Sequence, residues 1–191
     1  MKIFISIFFL GSFFVGQAQV VTNVFWVNNS TLPEKSTLYY QEDRPLTWDD
    51  FEGVPASGGT TAAITMSGFG YHTSMKTSNG KGQLNISVYS YFNKDKSWVK
   101  REHKNGYLLK HEQRHFDISY IAALIFMQKV KKAGLNQTNC TSKLRILYSE
   151  VCGIMNTMQT NYDAETQNGQ NKAEQARWDK YLAELLREAK N

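Results

Sequence analysis

Tyr107-Leu108-Leu109-Lys110-His111-Glu112-Gln113-Arg114-His115-Phe116-Asp117-Ile118 is the stretch on which the reading of this chain turns. Four residues is about 1.1 turns of α-helix, so on a helix His111 and His115 project from one face and can bind one zinc ion. Glu112 is rotated about 100° from His111, which brings its carboxylate beside a water on that metal rather than onto the metal itself. The apolar flanks Tyr107-Leu108-Leu109 and 116–126 put the motif on a helix buried at both ends. Only four histidines occur in the chain; His72 and His103 have no partner at ligand spacing and read as packing or surface residues.

Working outward, Asn105 can cap this helix, which ends near Ala133-Gly134 with Lys129, Lys131 and Lys132 suited to its negative end. A second helix begins near Thr141 or Ser142, with Leu144, Leu147, Val151, Ile154, Met158 and Tyr162 on one stripe. A third spans about 172–188, with Trp178, Leu182 and Leu185 on one face. Before residue 104 the periodicity is that of strands: 20–27, 62–76 and 83–92 are rich in β-branched and aromatic residues, and Leu84, Ile86 and Val88 alternate with polar neighbours. Asn79-Gly80-Lys81-Gly82 joins the last two as a hairpin turn. Trp48 and Phe51 read as anchors pinning the irregular segment 46–55 to the core. Strands first and helices second predict an α+β domain, a mixed or antiparallel sheet over a long helix.

A catalytic zinc needs a third protein ligand and an open position. If the second helix returns antiparallel, the turn has its midpoint near residues 136–137, and the level of His111 to His115 recurs at about 158–162. Glu150 then stands ~15 Å short, whereas Asp163 and Glu165 stand at the right level. Glu165 continues the stripe of Met158 and Tyr162 if the helix persists, and a helix ending here frees either acid, so both remain candidates. Tyr162 is a candidate donor to a developing oxyanion or a core residue, and Asp117 a supporting or purely structural carboxylate.

The composition narrows the surroundings. The chain has 191 residues, with 22 Lys+Arg against 17 Asp+Glu. The basic residues are scattered except over 94–110, where Asp95 and Glu102 intervene; this predicts a solvated face and no nucleic-acid partner. Met1-Lys2, an apolar run at 3–15 and the small residues of Gly16-Gln17-Ala18 read as a secretory signal over 1–18, leaving 19–191 as a single exported domain, secreted or periplasmic. About 13 apolar residues fall short of the ~20 that span a bilayer, and no later segment comes close, so no membrane span is expected. Cys140 and Cys152 can bridge only if the chain folds back between them, since on one helix they stand ~18 Å apart.

In four blocks over nearly the whole exported chain, the sequence resembles predicted secreted bacterial zinc proteases, a domain of unknown function within the HExxH (zincin) metallopeptidase superfamily. Leu46-Thr47-Trp48-Asp49-Asp50-Phe51-Glu52-Gly53-Val54-Pro55 is similar to its amino-terminal block, and His111-Glu112-Gln113-Arg114-His115-Phe116-Asp117-Ile118 to its HEQGHFDI block. Tyr162-Asp163-Ala164-Glu165-Thr166-Gln167-Asn168-Gly169 resembles its YDxxTxHG block, and Gln175 and Trp178 its terminal helix. The resemblance implies a zincin-like fold and a zinc hydrolase acting on a peptide or protein substrate, with His111 and His115 as ligands and Glu112 as base. It favours Asp163 as third ligand. In zincins an edge strand often pairs with extended substrate, and 62–71 is the candidate here. Two positions depart from the pattern, Arg114 for the usual Gly and Asn168 for the usual His. Two rivals stay in view: a zinc amidase acting on cell-wall peptides, which the mild positive charge would tolerate, and, given these departures, a zinc-stabilised exported binding module.

Overall fold

The computed structural model describes residues 20–78 and 81–189. The expected signal segment and the Asn79-Gly80 tip of the hairpin lie outside the described residues. Along the chain come β1 (Val20–Trp26), β2 (Thr37–Tyr39), β3 (Ala63–Ile64), β4 (Ser67–Ser78), β5 (Lys81–Asn93) and β6 (Trp98–Val99). The helices α1 (Gly106–Lys132), α2 (Cys140–Thr166) and α3 (Lys172–Ala189) follow. The class is α+β with a mixed sheet and three helices.

The alternation read at 83–92 forms the centre of the sheet. β4 pairs with β5 antiparallel along its full length, from Ser67 opposite Phe92 to Ser78 opposite Lys81. On its other side β5 pairs with β1, which is parallel, and then with β2, which is antiparallel. Period two puts Leu84, Ile86 and Val88 on one face with Phe69 of β4, where they pack on Ala122, Ala123, Phe126 and Val130 of α1. α1 is about 40 Å long at 1.5 Å per residue, so one end lies in this core while the other carries the motif. Asn105 caps it, its Oδ1 accepting from the Leu108 amide at 2.9 Å.

The strand expected over 62–76 is broken. At Met66 the amide is bonded by Ser97 Oγ at 2.9 Å and the carbonyl accepts from the Asn93 amide at 2.8 Å, so the chain leaves the β3–β6 pair and turns into β4. The segment 46–55 is anchored as expected: Phe51 is buried, its ring 5.1 Å from that of Phe92 and 5.0 Å from Trp48. Gln113 ties the same segment to α1, its Oε1 accepting from the Leu46 amide at 2.7 Å. Cys140 and Cys152 are free thiols on one helix, the geometry that keeps them apart. Among the described residues no helix is long and apolar enough to cross a membrane.

Candidate metal centre

α2 returns antiparallel to α1 with its turn where the spacing placed it, and Asp163 arrives beside the two histidines. Its Oδ1 is 3.3 Å from His111 Nε2 and 3.0 Å from His115 Nε2. The three ligand atoms lie within 4.8 Å of one another, a group that can hold one metal ion. Glu165, the other candidate, points elsewhere: it accepts from Trp178 Nε1 at 2.9 Å and pairs with Arg177.

Two glutamines orient the imidazoles. Gln159, one turn before Asp163 on α2, donates its amide nitrogen to the His115 carbonyl at 2.8 Å and turns its Oε1 to His115 Nδ1 at 2.5 Å. Gln175 of α3 places its Oε1 2.9 Å from His111 Nδ1 while its Nε2 donates to the Tyr162 hydroxyl at 2.7 Å. An amide oxygen on Nδ1 requires a proton there, so the neutral form of each ring presents an Nε2 lone pair to the Asp163 carboxylate. Three acceptors facing one another repel unless a proton or a cation lies between them. The same demand appears as pKa shifts. Burial favours the neutral acid at Asp163, but the hydrogen bonds from His111 and His115 outweigh it and hold the carboxyl far below its usual range. Burial opposes a charged His115, yet Asp163, helped by Glu112, raises its pKa.

Glu112 is buried, and its Oε2 accepts from the Thr65 hydroxyl at 2.7 Å. Thr65 sits at the break between β3 and β4, so the bend that divides the expected strand supplies this contact. The sequence reading missed Thr65 and Gln159; a glutamine four residues before Asp163, on its face of the helix, is the one signal that pointed to the second. Tyr162 is fully buried, with its ring stacked on His111 at 4.7 Å and edge-on to His115 at 5.0 Å. Its hydroxyl lies 3.3 Å from the His111 carbonyl oxygen and bonds Gln175, both on the buried side. Of its two readings, Tyr162 takes the place of a core residue: its hydroxyl is engaged on the buried side and its ring supports the imidazoles.

Arg114 and Asn168, the two positions that differ from the blocks the sequence resembles, separate in space. Arg114 turns away from the cleft, donating to Asp117 at 2.6 Å and to Asp179 of α3 at 2.8 Å, and so ties α1 to α3. Asp117 also receives the Tyr40 hydroxyl at 3.1 Å and Gln113 at 2.9 Å, which makes its part structural. Asn168 does line the cleft, with a left-handed φ of 53°. Next to it Gly169 has φ +81°, and a Cβ there would stand 3.2 Å from His111 Cγ. Gly169→Ala is therefore expected to destabilise the fold by ~1–2 kcal/mol from left-handed strain alone, read from chemical denaturation.

Three depressed carboxyls set the acid response. Burial raises Asp50 and Asp179 too, but Arg44 and Thr47 reverse this at Asp50, and Lys110 and Arg114 at Asp179. Together with Asp163 they contribute stability that is complete above the ordinary ~3.9 and is lost as pH falls below it. The raised His115 acts in the opposite sense, contributing below ~6.5 and losing its contribution as pH rises through the folded value. Chelator-treated protein is expected to show its highest Tm between about pH 4 and 6.5 in a thermal melt series.

Compared with known proteins, the chain matches no family model, no curated protein and no solved structure.

Proposed function

We propose that this chain is a zinc-dependent metallopeptidase of zincin-like design, exported from the cell, that hydrolyses peptide bonds. The observation that carries the reading is the convergence of two oriented Nε2 atoms and the Asp163 carboxylate, with Glu112 adjoining, on a cleft of about 410 Å³. Two imidazoles and one carboxylate are a donor set that zinc accepts while keeping a position open. His111, His115 and Asp163 would hold the ion. Bound zinc supplies the Lewis acidity that lowers the pKa of water toward ~7 and polarises a substrate carbonyl.

The chain's own residues do the rest. Thr65 fixes one oxygen of Glu112, leaving the other to take the proton of the attacking water and to return it to the departing amine nitrogen. Gln159, Gln175 and the Tyr162 ring hold the imidazoles so that Nε2 needs no reorganisation when a ligand arrives. β3 and Thr65 line the cleft, where an extended peptide can lie alongside as an added strand.

Metal analysis and peptide cleavage test the reading together. About one zinc per chain is expected, with cleavage of a denatured protein stopped by a chelator and restored by zinc. Zinc without cleavage would favour the binding module, and no zinc would remove the site assignment. Gln175→Ala is expected to weaken zinc ~10- to 100-fold, as loss of an outer hydrogen bond to a ligand does, measured by competition with a chromophoric chelator.

A further inference from the structure

Beside the metal cleft lies a second cavity of about 400 Å³, and the two share Thr61, Ala63 and Asn168 in their walls. They are adjoining parts of one trough, with Asn168 at its waist. The floors differ in charge. The metal half contains Glu112 and Asp163, whereas the lining of the second half contains no carboxylate and includes His103 and Tyr107. Lys172 lies over the Tyr107 ring at 5.7 Å. His103 belongs to the one stretch where basic residues gather, and residues 100–104 place Lys100, Arg101 and Lys104 there against Glu102 alone. Lys94 and Lys110, at the ends of that stretch, are paired with Glu52 and Asp179. Lys100 instead bonds the carbonyls of Gly58 and Gly59, so its charge meets no carboxylate in those bonds.

We propose that this second cavity is a substrate subsite for an acidic side chain, so that the preferred substrates carry Asp or Glu close to the scissile bond. The inference rests on the metallopeptidase reading. A carboxylate placed beside Tyr107 is drawn to the Lys172 ammonium that lies over that ring, and His103, Thr60 and Thr61 in the lining offer hydrogen-bond donors. A basic side chain meets like charge there, which gives discrimination as well as attraction. The basic residues of 100–104 and Lys172, surplus to the fold's own ion pairs, thereby acquire a use.

The test uses the full exported chain with zinc and matched peptides that differ only by Glu, Gln or Lys at successive positions around the cleaved bond. Expected is a three- to tenfold higher kcat/KM for Glu over Gln at one position, carried in KM and diminished by salt, with Lys poorest. Lys172→Glu should abolish or invert that ratio. Equal rates for the three peptides at every position, or a ratio unchanged in Lys172→Glu, would overturn the subsite. If the wild type cleaves nothing, the metallopeptidase reading fails and fluorescence anisotropy on Glu112→Gln decides the subsite separately. Tighter binding of the Glu peptide, lost on Lys172→Glu, would uphold it, and equal affinities would overturn it.

Discussion

Glu112→Gln is expected to retain about one zinc per chain while peptide cleavage falls by ~10²- to 10⁴-fold, the contribution of a positioned general base. The substitution preserves shape and leaves an amide oxygen able to accept from the Thr65 hydroxyl, so the bond that orients the side chain survives. What disappears is the capacity to take a proton. The amide keeps the size of the buried side chain and its bond from Thr65, so Tm should change little. Single-turnover cleavage beside metal analysis reads both quantities. Cleavage at near the parent rate would place the base elsewhere.

Asp163→Ala should have an effect of comparable size on a different quantity. It removes one of three proposed ligands, so zinc affinity should fall by more than the ~10- to 100-fold of an outer-shell change. Its second consequence concerns the metal-free protein. Without the carboxylate, His115 loses the partner that raises its pKa, and burial then favours the neutral ring. The decline in Tm expected as chelated protein passes upward through about pH 6.5 should therefore vanish in this variant. Glu165→Ala provides the contrast: its partners are Arg177 and the Trp178 indole, so zinc affinity should be unchanged.

The residues that could be read in advance are those governed by helix periodicity. His111 and His115 share a face because 3.6 residues make a turn, and a helical return places residue 163 opposite 111 by counting alone. Choosing Asp163 over Glu165 from periodicity was not possible, because the choice depends on where Trp178 and Arg177 of α3 dock. Strand alternation located β5, but not the break at Thr65-Met66, which is imposed by Ser97 and Asn93 from distant parts of the chain. Thr65 was invisible for the same reason: nothing local marks a threonine as the partner of a glutamate 47 residues later. For Tyr162 both readings stayed open, because the partner of its hydroxyl, Gln175, comes from another helix that periodicity does not place.

The parts of the candidate metal centre are distributed over all three helices. α1 supplies His111 and His115, α2 supplies Asp163 and Gln159, α3 supplies Gln175, and the intervening turn presses Gly169 against the His111 ring. An ion held there can bind tightly only to molecules in which all three helices are docked, so its apparent affinity is diluted by the fraction that are. By the same linkage the ion holds the helices together, adding RT ln(1 + [L]/Kd) to the docked state. Amide exchange in α3, which contributes no ligand and meets the site only through Gln175, should consequently slow when zinc is supplied, making the terminal helix a reporter of occupancy.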